Sequence, residues 1–292
     1  MVMPDFAYLR PGSLAEACAL ASRYGDDAAF IAGGTELIPD FQRERESARH
    51  LIALDSIGEL RGIAVEQGEV RIGALTTVAD VAASPLVRNR LEALADAARA
   101  IGSAQIRSLA TIGGNFCRAV ACADTPPAAI VGAARVHLAG PMGVRDLAAE
   151  EFFVGPRRTV LAPGEVMVAI ALPPQRTGSG SSYQRFSRRK GSSLAVAAVA
   201  VRLTMTSGRV TGARIALGAV GPVPLLVVHA AELLEGELPS TALFTRAAAL
   251  CADEALPITD VRGSADFRRD LVRVLARRAL EEAVVRAAAG KP

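Results

Sequence analysis

Thr111-Ile112-Gly113-Gly114-Asn115 is the stretch on which the reading of this chain turns. It follows Gln105-Ile106-Arg107 and precedes Asp124 by nine residues, with Pro126-Pro127 just beyond. A glycine pair between a β-branched entry and a polar exit marks backbone brought close to something. Glycine has no Cβ and tolerates φ > 0, so its N–H groups can line a concavity that accepts an anion. A second pair stands in Phe30-Ile31-Ala32-Gly33-Gly34-Thr35-Glu36-Leu37. Either pair alone reads first as a turn. The two together, with their flanking residues, carry more.

Around these loops the composition is ordinary. A chain of 292 residues is long enough for a sizeable core divided into two or three subdomains. Apolar content of 51% with 22% charged residues is globular, not disordered. The net charge is only +3, and basic residues alternate with acidic ones, as in Arg43-Glu44-Arg45-Glu46. No nucleic-acid stripe is present. The start of the chain lacks the order of a signal peptide, and the longest apolar runs, 194–201 and 215–231, are too short or broken by Gly and Pro. No membrane span is expected. Cys18, Cys117, Cys122 and Cys251 are few and scattered, which suits free thiols in a reducing cytoplasm.

Taken in order, Ser13-Leu14-Ala15-Glu16 is a capping-box pattern that opens a helix through Tyr24, with Gly25 as its stop. Ala28–Ile31 reads as a strand, Ala32–Gly34 as a turn, and Thr35 as the N-cap of a helix toward Arg45; Leu51–Leu54 returns as a strand. Strand, glycine loop and helix together present N–H groups to a phosphate. Next come a hairpin around Gln67-Gly68, helices over 77–83 and 86–100, the second glycine loop, a helix from Thr125, and strands over 135–139 and 165–172. Arg176–Ser182 is polar and reads as a flexible linker. Beyond it, 183–187, 194–206 and 209–220 predict a three-strand meander, followed by helices over 229–234, 241–256 and 265–289. The expected subdomains are therefore 1–57, 58–175 and 176–292.

The chain contains no G-x-G-x-x-G after its first strand, no P-loop, no H-E-x-x-H and no C-x-x-C. His50, His137 and His229 lie far apart, each without a metal-type partner nearby in sequence, and no nucleophile–base pair is nominated. Binding loops without an acid or base suggest that a cofactor does the chemistry.

With their flanks, the two loops resemble the FAD-binding medium subunit of the molybdenum hydroxylase family, which includes carbon monoxide and xanthine dehydrogenases. That family carries an Ala-Gly-Gly-Thr loop and a Thr-Ile-Gly-Gly-Asn loop, as Ala32–Thr35 and Thr111–Asn115 do here. Pro11–Ala17, Gly73–Thr77, Glu151–Phe153, Leu161–Glu165, Arg188-Arg189-Lys190 and Arg262–Arg269 are similar to its other marks. The resemblance implies an α+β, PCMH-type FAD-binding fold. Its parts are an α/β N-terminal subdomain, a mixed middle subdomain and a C-terminal three-stranded sheet with helices. It implies non-covalent FAD, with the diphosphate held by Ala32, Gly33, Gly34, Thr35 and Glu36 and by Thr111, Ile112, Gly113, Gly114 and Asn115. Asp124 falls where the family has an acidic residue near the adenosine half; as an N-cap for the following helix it reads equally well. Ile101 and Met167 match positions that wall the flavin, or are plain core.

Between Asn115 and Asp124 this chain departs from the family, with Cys117, Arg118 and Cys122 in place of small polar residues. Buried, inert thiols are the favoured reading, and Arg118 is available to neutralise diphosphate charge. The implied role is an oxidoreductase subunit that receives electrons from an iron–sulfur small subunit beside a molybdenum–pterin large subunit, in a dimer of heterotrimers. It hands them to an external acceptor, in the cytoplasm. The rivals are a stand-alone FAD-dependent oxidoreductase and a flavin-free assembly module.

Overall fold

The computed structural model describes residues 5–189 and 191–289. Lys190, the last residue of one family-like mark, lies outside them. The short apolar runs at the start form β1 (Ala7–Leu9), β2 (Ala28–Ile31) and β3 (His50–Ala53), a parallel sheet in the order β1-β3-β2. Helix α1 (Leu14–Tyr24) packs on it. Ser13 Oγ accepts from Glu16 N at 3.2 Å, and the Glu16 carboxylate reaches back to Gly12 N, one residue before the expected partner. Gly25 closes the helix with φ 52°.

Helix α2 (Leu37–Gln42) is shorter than expected, and its N-cap is Glu36, not Thr35. The reason lies in the loop. Gly34, at φ 67°, turns the chain so that Ile38 N already bonds Gly34 O at 3.1 Å, and no hydroxyl cap is required.

The middle part is a five-stranded antiparallel sheet in the order β4-β5-β10-β6-β7 under a layer of small helices. Its strands are β4 (Ile63–Glu66), β5 (Glu69–Gly73), β6 (Arg135–Gly140), β7 (Gly143–Ala148) and β10 (Val166–Leu172); β8 (Phe153–Gly155) and β9 (Arg158–Thr159) pair separately. The helices are α3 (Val78–Ala83), α4 (Pro85–Arg90), α5 (Glu92–Ala100), α6 (Ala104–Leu109), α7 (Ile112–Cys117) and α8 (Thr125–Val131). The single helix expected over 86–100 is two. Leu91 leaves helical geometry (φ −157°, ψ 95°) to bury its side chain completely, and α5 restarts with Ala93 N bonded to Ser181 Oγ at 3.1 Å. Phe116, Phe152 and Phe153 form an aromatic cluster beneath α7 with ring centroids 5.2–6.1 Å apart.

The last part is an antiparallel sheet of β11 (Ser179–Ser187), β12 (Ala195–Thr206), β13 (Arg209–Gly218) and β14 (Leu225–Val227). The expected meander thus gains a fourth short strand. From Ala195 to Val201 strand β12 is apolar because both its faces are covered there. Ala198 and Ala200 meet the middle helices, while Val199, Val201 and Leu203 meet α10 (Thr241–Glu254) and α11 (Ala265–Ala288), with α9 (His229–Leu234) alongside.

The linker reading of 176–182 is corrected as well. Gly180, Ser181 and Ser182 are buried residues of β11. A Cβ on Gly180 would stand 2.3 Å from Ala283 O and from Ala287 N. The small residues there reflect α11 pressed against the strand, not flexibility.

Candidate functional site

The two glycine loops face each other across a cavity of about 470 Å³, within the range of cofactor sites. Its walls draw on the loop before α2, the turn between α6 and α7, β10, and the turn between β11 and β12. Ala32, Gly33, Gly34, Thr35, Glu36, Ile101, Thr111, Gly113, Gly114, Asn115, Asp124 and Met167 all line it. Ile112 does not. Thr111 Oγ1 caps α7 by accepting from Gly114 N at 3.1 Å, and the resulting helical turn points Ile112 into the core, fully buried.

The loops offer different things. In the first, the N–H groups of Gly33, Gly34, Thr35 and Glu36 have no acceptor among the described residues. In the second the amides from Ile112 to Asn115 are engaged: Ile112 N with Thr76 O at 3.0 Å, Gly113 N with Ala74 O at 2.8 Å, Gly114 N with Thr111 Oγ1 at 3.1 Å, and Asn115 N with Thr111 O at 3.0 Å. What the second loop offers is closeness. Gly114 is exposed to the cavity in ordinary helical geometry, not at positive φ, and an added Cβ would meet only Thr111 Oγ1, at 3.0 Å. Asn115 Oδ1 accepts from Thr125 Oγ1 at 2.6 Å, which fixes its orientation and leaves its amide N–H₂ without an acceptor among the described residues.

Two glycines are dictated by packing. A Cβ on Gly33 would lie 1.9 Å from Leu109 O, and one on Gly113 would lie 2.7 Å from Ala74 Cβ. The bare Gly33 lets the first loop approach the entry to the second, and the bare Gly113 lets the second loop pack on the residue after β5.

Asp124 does not cap α8 with its side chain. Its buried carboxylate accepts from Tyr183 Oη at 2.6 Å and from Arg185 Nη1 at 2.9 and 3.0 Å. Arg185 Nη2 in turn donates to Ser193 O at 3.0 Å, which ties β11 to the following turn at the cavity wall. Burial and the Asp124 charge push Tyr183 well above the usual phenol range, so it stays a donor. Sequence reading gave no signal for these partners, which lie 59 and 61 residues away.

Arg118 is committed elsewhere too. It pairs with the buried Asp40, which also accepts from Arg157 Nη1 at 3.1 Å, and stands 3.6 Å from Glu36. This network joins the end of α7 to α2, so the two loops share one buried anion. Cys117 and Cys122 are only half-buried because they form part of the cavity wall, a correction to the expectation of buried thiols. Cys117 Sγ lies 3.9 Å from Met167 Sδ, and the low-polarity wall pushes its thiol up to about 12. Burial raises Cys122 as well. Leu37, Leu161 and Leu194 complete an apolar side that the sequence did not announce, since each reads as ordinary core or turn. None of the three histidines lines the cavity: His50 stacks on Tyr24 and His229 faces Glu254 at 3.3 Å.

Known proteins share this architecture. Residues 4–175 match the family described as FAD binding domain in molybdopterin dehydrogenase, and residues 181–283 match the CO dehydrogenase flavoprotein C-terminal domain. The carbon monoxide dehydrogenase medium chain of Afipia carboxidovorans is 36% identical over 98% of this chain and 99% of its own length. The putative xanthine dehydrogenase FAD-binding subunit of Escherichia coli K12 is 30% identical over 99% of each. Among solved structures, carbon monoxide dehydrogenase from Hydrogenophaga pseudoflava superposes with a TM-score of 0.95 at 36% identity, covering 98% of this chain and 99% of that one. Quinoline 2-oxidoreductase from Pseudomonas putida 86 superposes with a TM-score of 0.93 at 30% identity, over 98% and 99%. With both halves matched in order and nearly full-length relatives on either side, the chain is a FAD-binding subunit of the molybdenum hydroxylase family.

Proposed function

We propose that this chain holds FAD between its two glycine loops and relays electrons from iron–sulfur clusters of a partner subunit to an external acceptor. The observation that carries the reading is the run of four N–H groups with no acceptor among the described residues, at Gly33, Gly34, Thr35 and Glu36, on one wall of a largely apolar cavity. Adjacent amides of this kind fit the oxygens of a diphosphate. The exposed backbone at Gly114 lets that group lie close, and the Asn115 amide supplies a further donor. Asp124, with one lone-pair site of Oδ2 still open after Arg185, suits a hydroxyl or amino donor of the adenosine half. Ile101 and Met167 give the flavin ring an apolar bed that excludes water.

When bound, FAD stores electrons and passes them on in steps of one or two. The protein's own groups are arranged to stay out of that exchange. Among the described residues lining the cavity, Glu165 is tied to Arg145, Asp124 to Arg185 and Arg118 to Asp40, Glu36 stands 3.6 Å from Arg118, and Cys117 stays protonated. Nothing there is poised to draw a proton from a substrate carbon. Substrate oxidation therefore belongs to other chains. We assign these to an iron–sulfur small subunit and a molybdenum–pterin large subunit, following relatives named as medium chains. The test is anaerobic mixing of the lone FAD-loaded chain with heteroaromatic and aldehyde substrates while flavin absorbance is followed. The colour is expected to persist until the partner subunits are added. Bleaching at catalytic rates by the lone chain would overturn the relay and establish a stand-alone oxidoreductase.

A further inference from the structure

A second cavity, of about 280 Å³, opens between the β4–β5 hairpin, the end of α4 and the turn that leads into β11. Arg90, Arg176 and Arg202 reach its wall, against a single carboxylate, Glu92, whose Oε2 accepts from Ser181 Oγ at 2.8 Å. None of the three arginines makes an ion pair among the described residues. Arg90 Nη2 donates to Gly68 O at 2.9 Å, and Arg202 Nη1 donates to the neutral amide oxygen of Gln175 at 2.7 Å.

Arg202 is the least comfortable of them. It stands opposite Arg214 in the β12–β13 ladder, and like charges so placed repel. Arg214 has its own partners in Glu150 and Ile130 O, so it leaves no negative charge for Arg202. Burial, followed by the charges of Arg214 and Arg176, pulls the Arg202 guanidinium down to about 10. The turn between Gln175 and Ser179 adds backbone donors, since the N–H groups of Thr177 and Gly178 have no acceptor among the described residues. A half-buried guanidinium with free donors, beside two more and next to open amides, is a setting that a multiply charged oxyanion completes.

We propose that this second cavity binds a phosphate group, free or as a phosphate ester, held by Arg90, Arg176 and Arg202. Because Arg202 belongs to the last sheet and Arg90 to the middle part, the bound anion bridges the two parts away from the flavin site. A carboxylate offers fewer acceptor oxygens to three guanidinium groups, which favours phosphate.

The test is calorimetric titration of the FAD-loaded full-length chain with inorganic phosphate and with ribose 5-phosphate, at constant ionic strength. With flavin in place, confirmed by its visible absorbance, the first cavity cannot supply the signal. Saturable binding is expected, with Arg202→Gln and Arg176→Gln each weakening it roughly tenfold. The tighter of the two probes identifies the source of the phosphate. Arg176 is exposed, so its variant keeps the fold even if Arg202→Gln does not. No saturable binding of either probe, or an unchanged dissociation constant for Arg176→Gln, would overturn the proposal.

Discussion

Replacing Gly33 by alanine adds one methyl group and tests how closely the two loops must meet. The new Cβ would fall 1.9 Å from Leu109 O and 2.7 Å from the carbon that bears it. Both obstacles are backbone, so neither can swing aside, and the loops must part by about 1 Å or more to restore even a tight contact. Such overpacking costs about 1–3 kcal/mol of stability. The effect on the ligand is larger. Each N–H bond to a charged acceptor contributes about 1.5–3 kcal/mol, so moving two of the four free amides out of reach removes about 3–6 kcal/mol. At about 1.4 kcal/mol per factor of ten, FAD binding weakens by two to four orders of magnitude. The assay is fluorescence titration of the apo chain with FAD, alongside thermal unfolding to show that the fold survives. Gly58→Ala is the control, because nothing lies within 4 Å of a Cβ there. A Gly33→Ala chain that bound FAD within threefold of the parent would refute the assignment of this loop to the diphosphate.

Other expectations follow from the same geometry. Cys117→Ser and Cys122→Ala should leave flavin content and reduction rate nearly unchanged, and alkylation of Cys117 at pH 8 should be slow, since its thiol titrates near 12; fast labelling or lost flavin in either variant would make these thiols functional. Asp124→Ala strands the buried Arg185 guanidinium and should cost about 3–5 kcal/mol in denaturant unfolding, while Asp124→Asn, which keeps the Tyr183 bond, should cost less. Arg145 holds the carboxyl of Glu165 below its ordinary 4.5. The stability it contributes, about 1 kcal/mol, is therefore present above that pH and is lost as pH falls through the lower folded value. Arg145→Gln should be less stable than the parent at pH 7, with the gap closing toward pH 3; a gap independent of pH would mean the pair contributes only packing.

Much of this was legible in the chain because its signals are local. Ser13 with Glu16, Gly25, the turn at Gln67-Gly68 and the alternation of short apolar runs each state their structure within a few residues. The glycine loops were legible for the same reason, although the division of labour between them was not. Whether an amide is free depends on Ala74 and Thr76, which sit some forty residues upstream, and nothing local in the loop says that their carbonyls face it. The break at Leu91 has no local mark, neither proline nor glycine; burial of one leucine and a hydroxyl from Ser181 override helix propensity there. From the sequence Arg118 is available to neutralise diphosphate charge, because its partner Asp40 looks like any helical aspartate. Composition alone does not tell a linker from the start of β11 at 176–182, since Gly and Ser also serve where a helix lies flush on a strand.

The buried Asp40, clasped by Arg118 and Arg157, works as a rivet. It fastens the short helix after the first loop to the end of the helix after the second, and the strands that precede them, β2 and β5, lie in different sheets. The mouth of the cavity is thereby set before any ligand arrives, and what fills the cavity adds a second tie across the same seam. Occupancy and integrity then rise together, by RT ln(1 + [ligand]/Kd). A cell short of flavin would hold this chain in a form that opens more often along that seam, and the quantity of protein surviving turnover would follow the vitamin supply.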